Sequence, residues 1–174
     1  VHVWADETRP LLQGLRLTAY ELAKAGIPHA VVGEGAAWTL FRQGRVDAAI
    51  TGADRICANG DVVNKVGTWP LAVACREHGV PFCVAAPLTT LDPGTPTGDQ
   101  VVIEDRRGDA LRYLRDEVAP DALPTYEPAF DVTPADLVTC LITEAGRVER
   151  PDAETLTPLL QAARRLQTSP APGR

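Results

Sequence analysis

Apolar and polar positions follow two different periods along this chain, and the switch between them predicts its architecture. Short runs rich in β-branched and small apolar residues stand at Val1 to Ala5, His29 to Val32, Val46 to Ile50, Phe82 to Ala86 and Gln100 to Ile103, and they read as strands. The first four are separated by stretches with helical spacing. Leu11, Leu12, Leu15, Ala19, Leu22 and Ala23 share one face at a period of about 3.6, which predicts a helix over Leu11 to Ala25 stopped by Gly26. Further helices are expected at Ala36 to Arg42, closed by Gly44, and at Gly67 to His78, closed by Gly79. Strands that alternate with helices pair in parallel through crossover connections. The expected fold class is therefore α/β, a Rossmann-like parallel sheet with flanking helices.

After Pro87 the pattern changes. LTTLDPGTPTGDQ reads as a turn-rich loop, and Asp109 to Val118 as an exposed amphipathic helix with mixed charges. The proline-punctuated stretch that follows carries Tyr126 and Phe130 as apolar anchors and is read as an ordered surface crossing. Asp131 or Thr133 is placed to cap a last helix over Ala135 to Cys140, with Pro134 at its first position, before a turn in LITEAG. Residues 1–150 are expected to form one Rossmann-like catalytic domain, since 174 residues with 45% apolar content suit a single core. Residues 151–174 are expected to hold a weak helix, Leu156 to Leu166, and a tail, QTSPAPGR, of disordered composition. The chain opens inside the strand-like VHVWA and contains no methionine, so it is expected to be a piece of a longer protein.

Charge and composition narrow the function classes. A formal net charge of −6 argues against a nucleic-acid partner, whose phosphates call for clustered Lys and Arg. No apolar run approaches the roughly 20 residues that span a bilayer, so no membrane partner is expected. Cys57, Cys75, Cys83 and Cys140 lack CxxC spacing and read as reduced, mostly buried thiols of a cytoplasmic protein. Cys57 is read as a packing residue beneath a loop. His2, His29 and His78 have no ligand spacing, so no metal is expected. Gly33-Glu34-Gly35 follows a strand, but Trp38 stands at the third glycine of the dinucleotide fingerprint and Glu34 would repel a pyrophosphate. No cofactor is expected.

The candidate chemistry lies in TGADRICANGDVVNKVGT, residues 51–68. The run VDAAI gives way to small and polar residues, so Asp54 is expected at the carboxyl edge of a sheet, where open α/β folds bind ligands. Thr51, Gly52 and Ala53 are small enough for a ligand to approach the backbone, and Asn59-Gly60 is a tight turn that folds the loop back. An Asp-Arg pair in a turn also serves as a cap or surface ion pair. Asn64 and Lys65 are expected to open the next helix, whose N-terminus would suit a phosphate ester; the bland reading is a capping Asn64 and a solvated Lys65. A second group, Arg9, Pro10 and Gln13, falls at the carboxyl end of the first strand. Arg9 can meet a phosphate or pair with Glu7, and Gln13 can reach a ligand hydroxyl.

Four blocks, ETRPLLQG (residues 7–14), GADRICANGDVVNKVGT (52–68), PFCVAAP (81–87) and PAFDVTP (128–134), occur in an order that resembles the C-terminal half of the methylthioribose-1-phosphate isomerase family. That family includes ribose-1,5-bisphosphate isomerase and the alpha, beta and delta subunits of translation initiation factor 2B. The resemblance implies an aldose-to-ketose isomerase acting on 5-methylthioribose 1-phosphate in methionine salvage, the alternatives being the bisphosphate enzyme or a non-catalytic regulatory subunit. It implies that Asp54 is the proton donor, that Gln13, Asn64 and Lys65 bind a sugar-phosphate substrate, and that the protein is a cytoplasmic homodimer. The family's catalytic cysteine and several phosphate-binding arginines come from an N-terminal half that has no counterpart here, so the isolated chain is expected to turn over little. The pattern departs at Glu127, where Asn is usual, and at GEGAA, where a polar residue and Met usually precede AA.

Overall fold

The computed structural model describes residues 1–106, 109–112 and 124–168. In chain order its regular elements are β1 (Val3–Asp6), α1 (Ala19–Lys24), β2 (His29–Val32), α2 (Ala37–Arg42), β3 (Ala49–Thr51), β4 (Arg55–Cys57), β5 (Val62–Lys65), α3 (Thr68–Glu77), β6 (Phe82–Ala85), β7 (Leu91–Asp92), α4 (Asp109–Arg112), β8 (Phe130–Thr133), β9 (Cys140–Thr143), β10 (Gly146–Glu149) and α5 (Thr157–Thr168). They fall into two compact units, one of residues 1–45 and 104–129, the other of residues 46–103 and 130–174.

In the first unit β1 and β2 pair in parallel, with Val3 opposite His29 and Asp6 opposite Val32. The expected long helix after β1 is broken up. Its first residues form a turn in which Thr8 and Leu12 adopt positive φ, Gly14–Thr18 make one π-helical turn, and only Ala19–Lys24 is α-helical. Gly14 explains the departure: a Cβ there would lie 1.6 Å from the main-chain oxygen of Asp6, so the turn packs directly against the end of β1.

In the second unit β3, β6 and β9 run parallel in a four-stranded sheet ordered β10-β9-β6-β3, with β10 returning antiparallel from β9. A second sheet, ordered β7-β4-β5-β8, is mainly antiparallel, with β7 parallel to β4. Phe82, Ile56, Leu91, Leu141 and Leu156 are fully buried and form the core of this unit, each such side chain contributing roughly 1.5–3 kcal/mol by leaving water. The fold is thus mixed α/β with parallel-containing sheets and flanking helices.

Three expectations are corrected here. The segment Ala135 to Cys140 is not a helix: Ala135–Leu137 is a single 3-10 turn, and Cys140 begins β9. Thr139, Cys140, Ile142 and Thr143 favour a pleated, half-buried surface, and three ladder partners on β6 complete it. Gln100 to Ile103 is not a strand, since Gly98–Gln100 is a 3-10 turn and Val102 is 94% exposed. Asn64 and Lys65 lie on β5, so they do not open a helix; α3 starts at Thr68 after Gly67, whose φ of 105° lets the chain turn out of the strand. The later part of the Asp109 to Val118 helix and the terminal QTSPAPGR beyond residue 168 lie outside the described residues.

Candidate functional site

In the second unit Asp54 follows the carboxyl end of β3 by three positions and precedes β4 directly. Its main-chain N–H donates to the carbonyl of Val63 on β5 (2.9 Å), which fixes the loop on the antiparallel sheet. The side chain lines a cavity of about 250 Å3, together with Arg55, Thr89, Thr90, Leu91 and Asp92. Asp54 is exposed.

Arg55 and Asp92 form the fixed wall of that cavity. The Arg55 guanidinium donates to the Asp92 carboxylate (2.7 Å) and to the Thr95 hydroxyl (3.3 Å). Asp92 also accepts the Thr95 hydroxyl (2.8 Å) and the Gly94 N–H (2.9 Å). Burial works to raise the Asp92 pKa, but these hydrogen bonds and the Arg55 charge outweigh it and hold the carboxyl below its ordinary value. The Asp92-Pro93-Gly94 turn signals this arrangement in the sequence, because an Asp side chain commonly accepts the N–H two residues on.

Asn64 and Lys65 are brought to the same unit on β5, both half-buried. The Asn64 amide donates to the Thr68 hydroxyl (3.0 Å), which in turn donates to the Lys65 carbonyl (2.7 Å). The Lys65 ammonium lies 4.8 Å from the centroid of the Phe130 ring, a cation–π contact. The N-terminus of α3 is already occupied by a protein anion. Asp131 on β8 accepts the N–H groups of Gly67 (2.7 Å) and Trp69 (3.1 Å), so the helix end does not offer the free N–H groups expected for a phosphate. Asp131 was placed as a cap for the helix that follows it; it caps α3 instead, across the β5–β8 ladder. Burial pushes its pKa up against the lowering effect of these hydrogen bonds.

Loop geometry is set by Asp61, whose carboxylate accepts the N–H of Ala135 (3.0 Å), the N–H of Gly98 (2.9 Å) and the Asn59 side-chain amide (2.8 Å). Cys57 is fully buried, and burial pushes its thiol up to about 11, which suits packing and not nucleophilic attack. At the ends of β3 one signal was missed: the Thr51 hydroxyl oxygen is buried without a hydrogen-bond partner.

In the first unit the turn after β1 places Gln13 with its side-chain oxygen buried and unpartnered, and one carboxylate oxygen of Asp6 is in the same condition. Such atoms are rare in folded proteins and mark places where a ligand or water supplies the missing partner. Burial raises the pKa of Asp6, with the Glu7 charge adding to the effect, and burial also raises that of Glu34, whose carboxylate accepts the Arg9 N–H (3.0 Å). The Arg9 guanidinium turns to the Pro10 carbonyl (3.5 Å). Glu127 is 4% exposed, with one carboxylate oxygen unpartnered. Among the described residues no group of three or more His, Cys, Asp or Glu is arranged to hold a metal ion, and no helix is long and apolar enough to cross a membrane.

An acid that follows the carboxyl end of a parallel strand, beside a polar cavity, defines the class as an α/β chain with a polar cavity at its sheet edge. The chain belongs to the Initiation factor 2 subunit family, whose sequence profile matches residues 1–150. It is 52% identical over 151 residues to a methylthioribose-1-phosphate isomerase of Alcanivorax borkumensis, covering 86% of this chain and 44% of that protein. It is 54% identical over 156 residues to a protein of the same name from Rhodopirellula baltica, with 87% and 44% covered. Among solved structures it resembles 5-methylthioribose 1-phosphate isomerase from Pyrococcus horikoshii (TM-score 0.88, 44% identity, 92% of this chain and 45% of that one). It also resembles translation initiation factor eIF-2B, subunit delta, from A. fulgidus (TM-score 0.87, 40% identity, 92% and 47%). The chain therefore spans about half the length of the relatives it matches.

Proposed function

We propose that this chain carries the proton-donor half of an aldose–ketose isomerase site for 5-methylthioribose 1-phosphate. Asp54 is the acid, and Gln13, Asn64 and Lys65 bind the sugar phosphate. The observation that carries the reading is the placement of Asp54 at the carboxyl end of β3, on the wall of a polar cavity, and the names of the relatives in Alcanivorax borkumensis and Rhodopirellula baltica support it. A cytoplasmic homodimer acting in methionine salvage belongs to the same proposal.

The chemistry suits these residues. An anomeric phosphate locks the ring, so the ring oxygen must be protonated before hydrogen can move from C2 to C1, and a positioned carboxyl is fitted to give and take that proton. The buried, unpartnered oxygen of Gln13 is ready to accept a substrate hydroxyl, and Lys65 supplies positive charge for the ester.

The test is a chimera in which this chain replaces the matching part of the Alcanivorax borkumensis relative, assayed by NMR for appearance of the ketose phosphate. The chimera should convert the aldose, and Asp54→Asn should lower its kcat by at least about 100-fold, the scale of general-acid catalysis; the chain alone should turn over little. A folded chimera without turnover, or one indifferent to Asp54→Asn, would overturn the reading. The second of these results would favour a non-catalytic regulatory chain, a possibility raised by the likeness to the eIF-2B delta subunit.

A further inference from the structure

The cavity beside Asp54 holds more polar groups than the proposed acid, and their states differ. Arg55 and Asp92 are bound to one another and to Thr95 and Gly94, so both are held in place on the wall. Thr89 and Thr90 also line the cavity, and no hydrogen bond within the described residues engages their hydroxyls. With Asp54 and Asp92 against the single cation Arg55, the lining carries a net negative charge, which disfavours a phosphate. Neutral hydroxyls that both donate and accept fit this wall, since two threonines and a carboxylate can satisfy them from several directions.

The segment that presents the threonines is held on both sides, by Leu88 before them and by the β7–β4 ladder after them. Leu88–Thr90 is a single 3-10 turn, closed by the Thr90 N–H donating to the Pro87 carbonyl (2.9 Å). The N–H of Leu88 is shared between both carboxylate oxygens of Glu144 (3.1 and 2.9 Å), in the turn between β9 and β10. Leu88 itself is 7% exposed, so its side chain anchors the turn in the core while Glu144 fixes its main chain. The Glu144 carboxylate satisfies the Leu88 N–H and so fixes the start of the turn that carries Thr89 and Thr90.

We propose that Thr89 and Thr90 are specificity-determining residues that hold ring hydroxyls of the sugar beside Asp54, and that Glu144 is the positioning residue that presents them. The inference rests on the sugar-phosphate reading above, and it assigns the hydroxyl-bearing part of the ligand, not its phosphate, to this cavity.

The test measures equilibrium binding of 5-methylthioribose 1-phosphate and its 2-deoxy and 3-deoxy analogues to this chain by NMR titration, with ketose formation followed separately in the chimera. The parent should bind at least one analogue about tenfold more weakly, the scale of one lost hydrogen bond. Thr89→Val with Thr90→Val should bring that ratio to within about twofold of unity. Glu144→Ala should shrink it similarly, and Glu144→Gln, which keeps an acceptor for the Leu88 N–H, should restore most of it; a merely structural loss would weaken all three sugars alike. Should Glu144→Ala fail to fold, the threonine substitutions, on an outward-facing turn, decide the matter. Retained tenfold discrimination in the double threonine variant, or no discrimination by the parent chain, overturns the inference. Turnover in the chimera with unchanged discrimination would leave the isomerase reading standing, and lost turnover with threonine-dependent selectivity would remove that reading and keep this one.

Discussion

Replacing Asp131 should expose a latent anion site at the start of α3 while costing a measurable share of stability. Its two carboxylate oxygens accept the Gly67 and Trp69 N–H groups at 2.7 and 3.1 Å, so Asp131→Ala removes the helix cap, a loss of about 2 kcal/mol, or roughly 5 °C in Tm for a chain of this size. Burial already pushes the Asp131 pKa above its ordinary value of 3.8, so the stabilising quantity is the acceptor geometry and not the charge. Asp131→Asn, which retains one acceptor oxygen, should therefore cost about half as much. The sign of the pH dependence follows: a raised folded-state pKa gives stability that is complete below the unfolded value and is lost as pH rises through the folded value. The parent should accordingly gain on Asp131→Asn as pH falls towards 4. With the cap gone, the exposed N–H groups and helix dipole should bind phosphate; a site of about 10 mM affinity adds about 1 kcal/mol at 50 mM phosphate. Urea unfolding followed by circular dichroism, in phosphate and in chloride at equal ionic strength, reads all of these effects. A cost below about 0.5 kcal/mol for Asp131→Ala, or equal phosphate stabilisation of parent and variant, would refute the reasoning.

Asp61→Ala strips three donors of their acceptor at once and should destabilise the second unit by about 3–5 kcal/mol, with hydrogen exchange at the Gly98 and Ala135 amides rising first; unchanged protection there would count against it. Asp92→Asn should lose stability at neutral pH, and the deficit should shrink as pH falls below about 4, because a depressed folded-state pKa contributes stability that is present above the unfolded value and lost on acidification. Urea midpoints between pH 3 and 7 measure it, and a constant deficit would show that Arg55 and Thr95 do not favour the ionised form.

What the sequence made legible was mostly local. β2 runs over His29–Val32 as expected, and Gly26, Gly44 and Gly79 stop their helices in the left-handed conformation that favours glycine. Asp54 was placed at a sheet edge because a switch from VDAAI to small residues is visible in one line of sequence. Asn64-Lys65 was misplaced because the strand ladder that claims it, with Asn64 opposite Asp131 and Lys65 opposite Phe130, is built from residues more than 60 positions away. The same distance hid Asp131, which looks like a cap for its own neighbours until β8 lies beside β5. Gln100 to Ile103 failed for the converse reason, since β-branched residues favour a strand only where a partner edge exists. Thr89 and Thr90 carried no signal of their own; the Leu88 N–H and Glu144, 56 residues apart, give them a fixed place.

Between β3 and β4 the chain passes from one sheet to the other through Gly52, Ala53 and Asp54 alone. Three residues span at most about 10 Å, so the connection has no slack, and the Asp54 N–H is pinned on its far side to Val63. An inserted or deleted residue in this crossing could not be absorbed by a loop. It would have to shift the register of β4 and turn every side chain of that strand to the opposite face, so the position of Asp54 is under the same mechanical constraint as the packing of Ile56 and Cys57 beneath it.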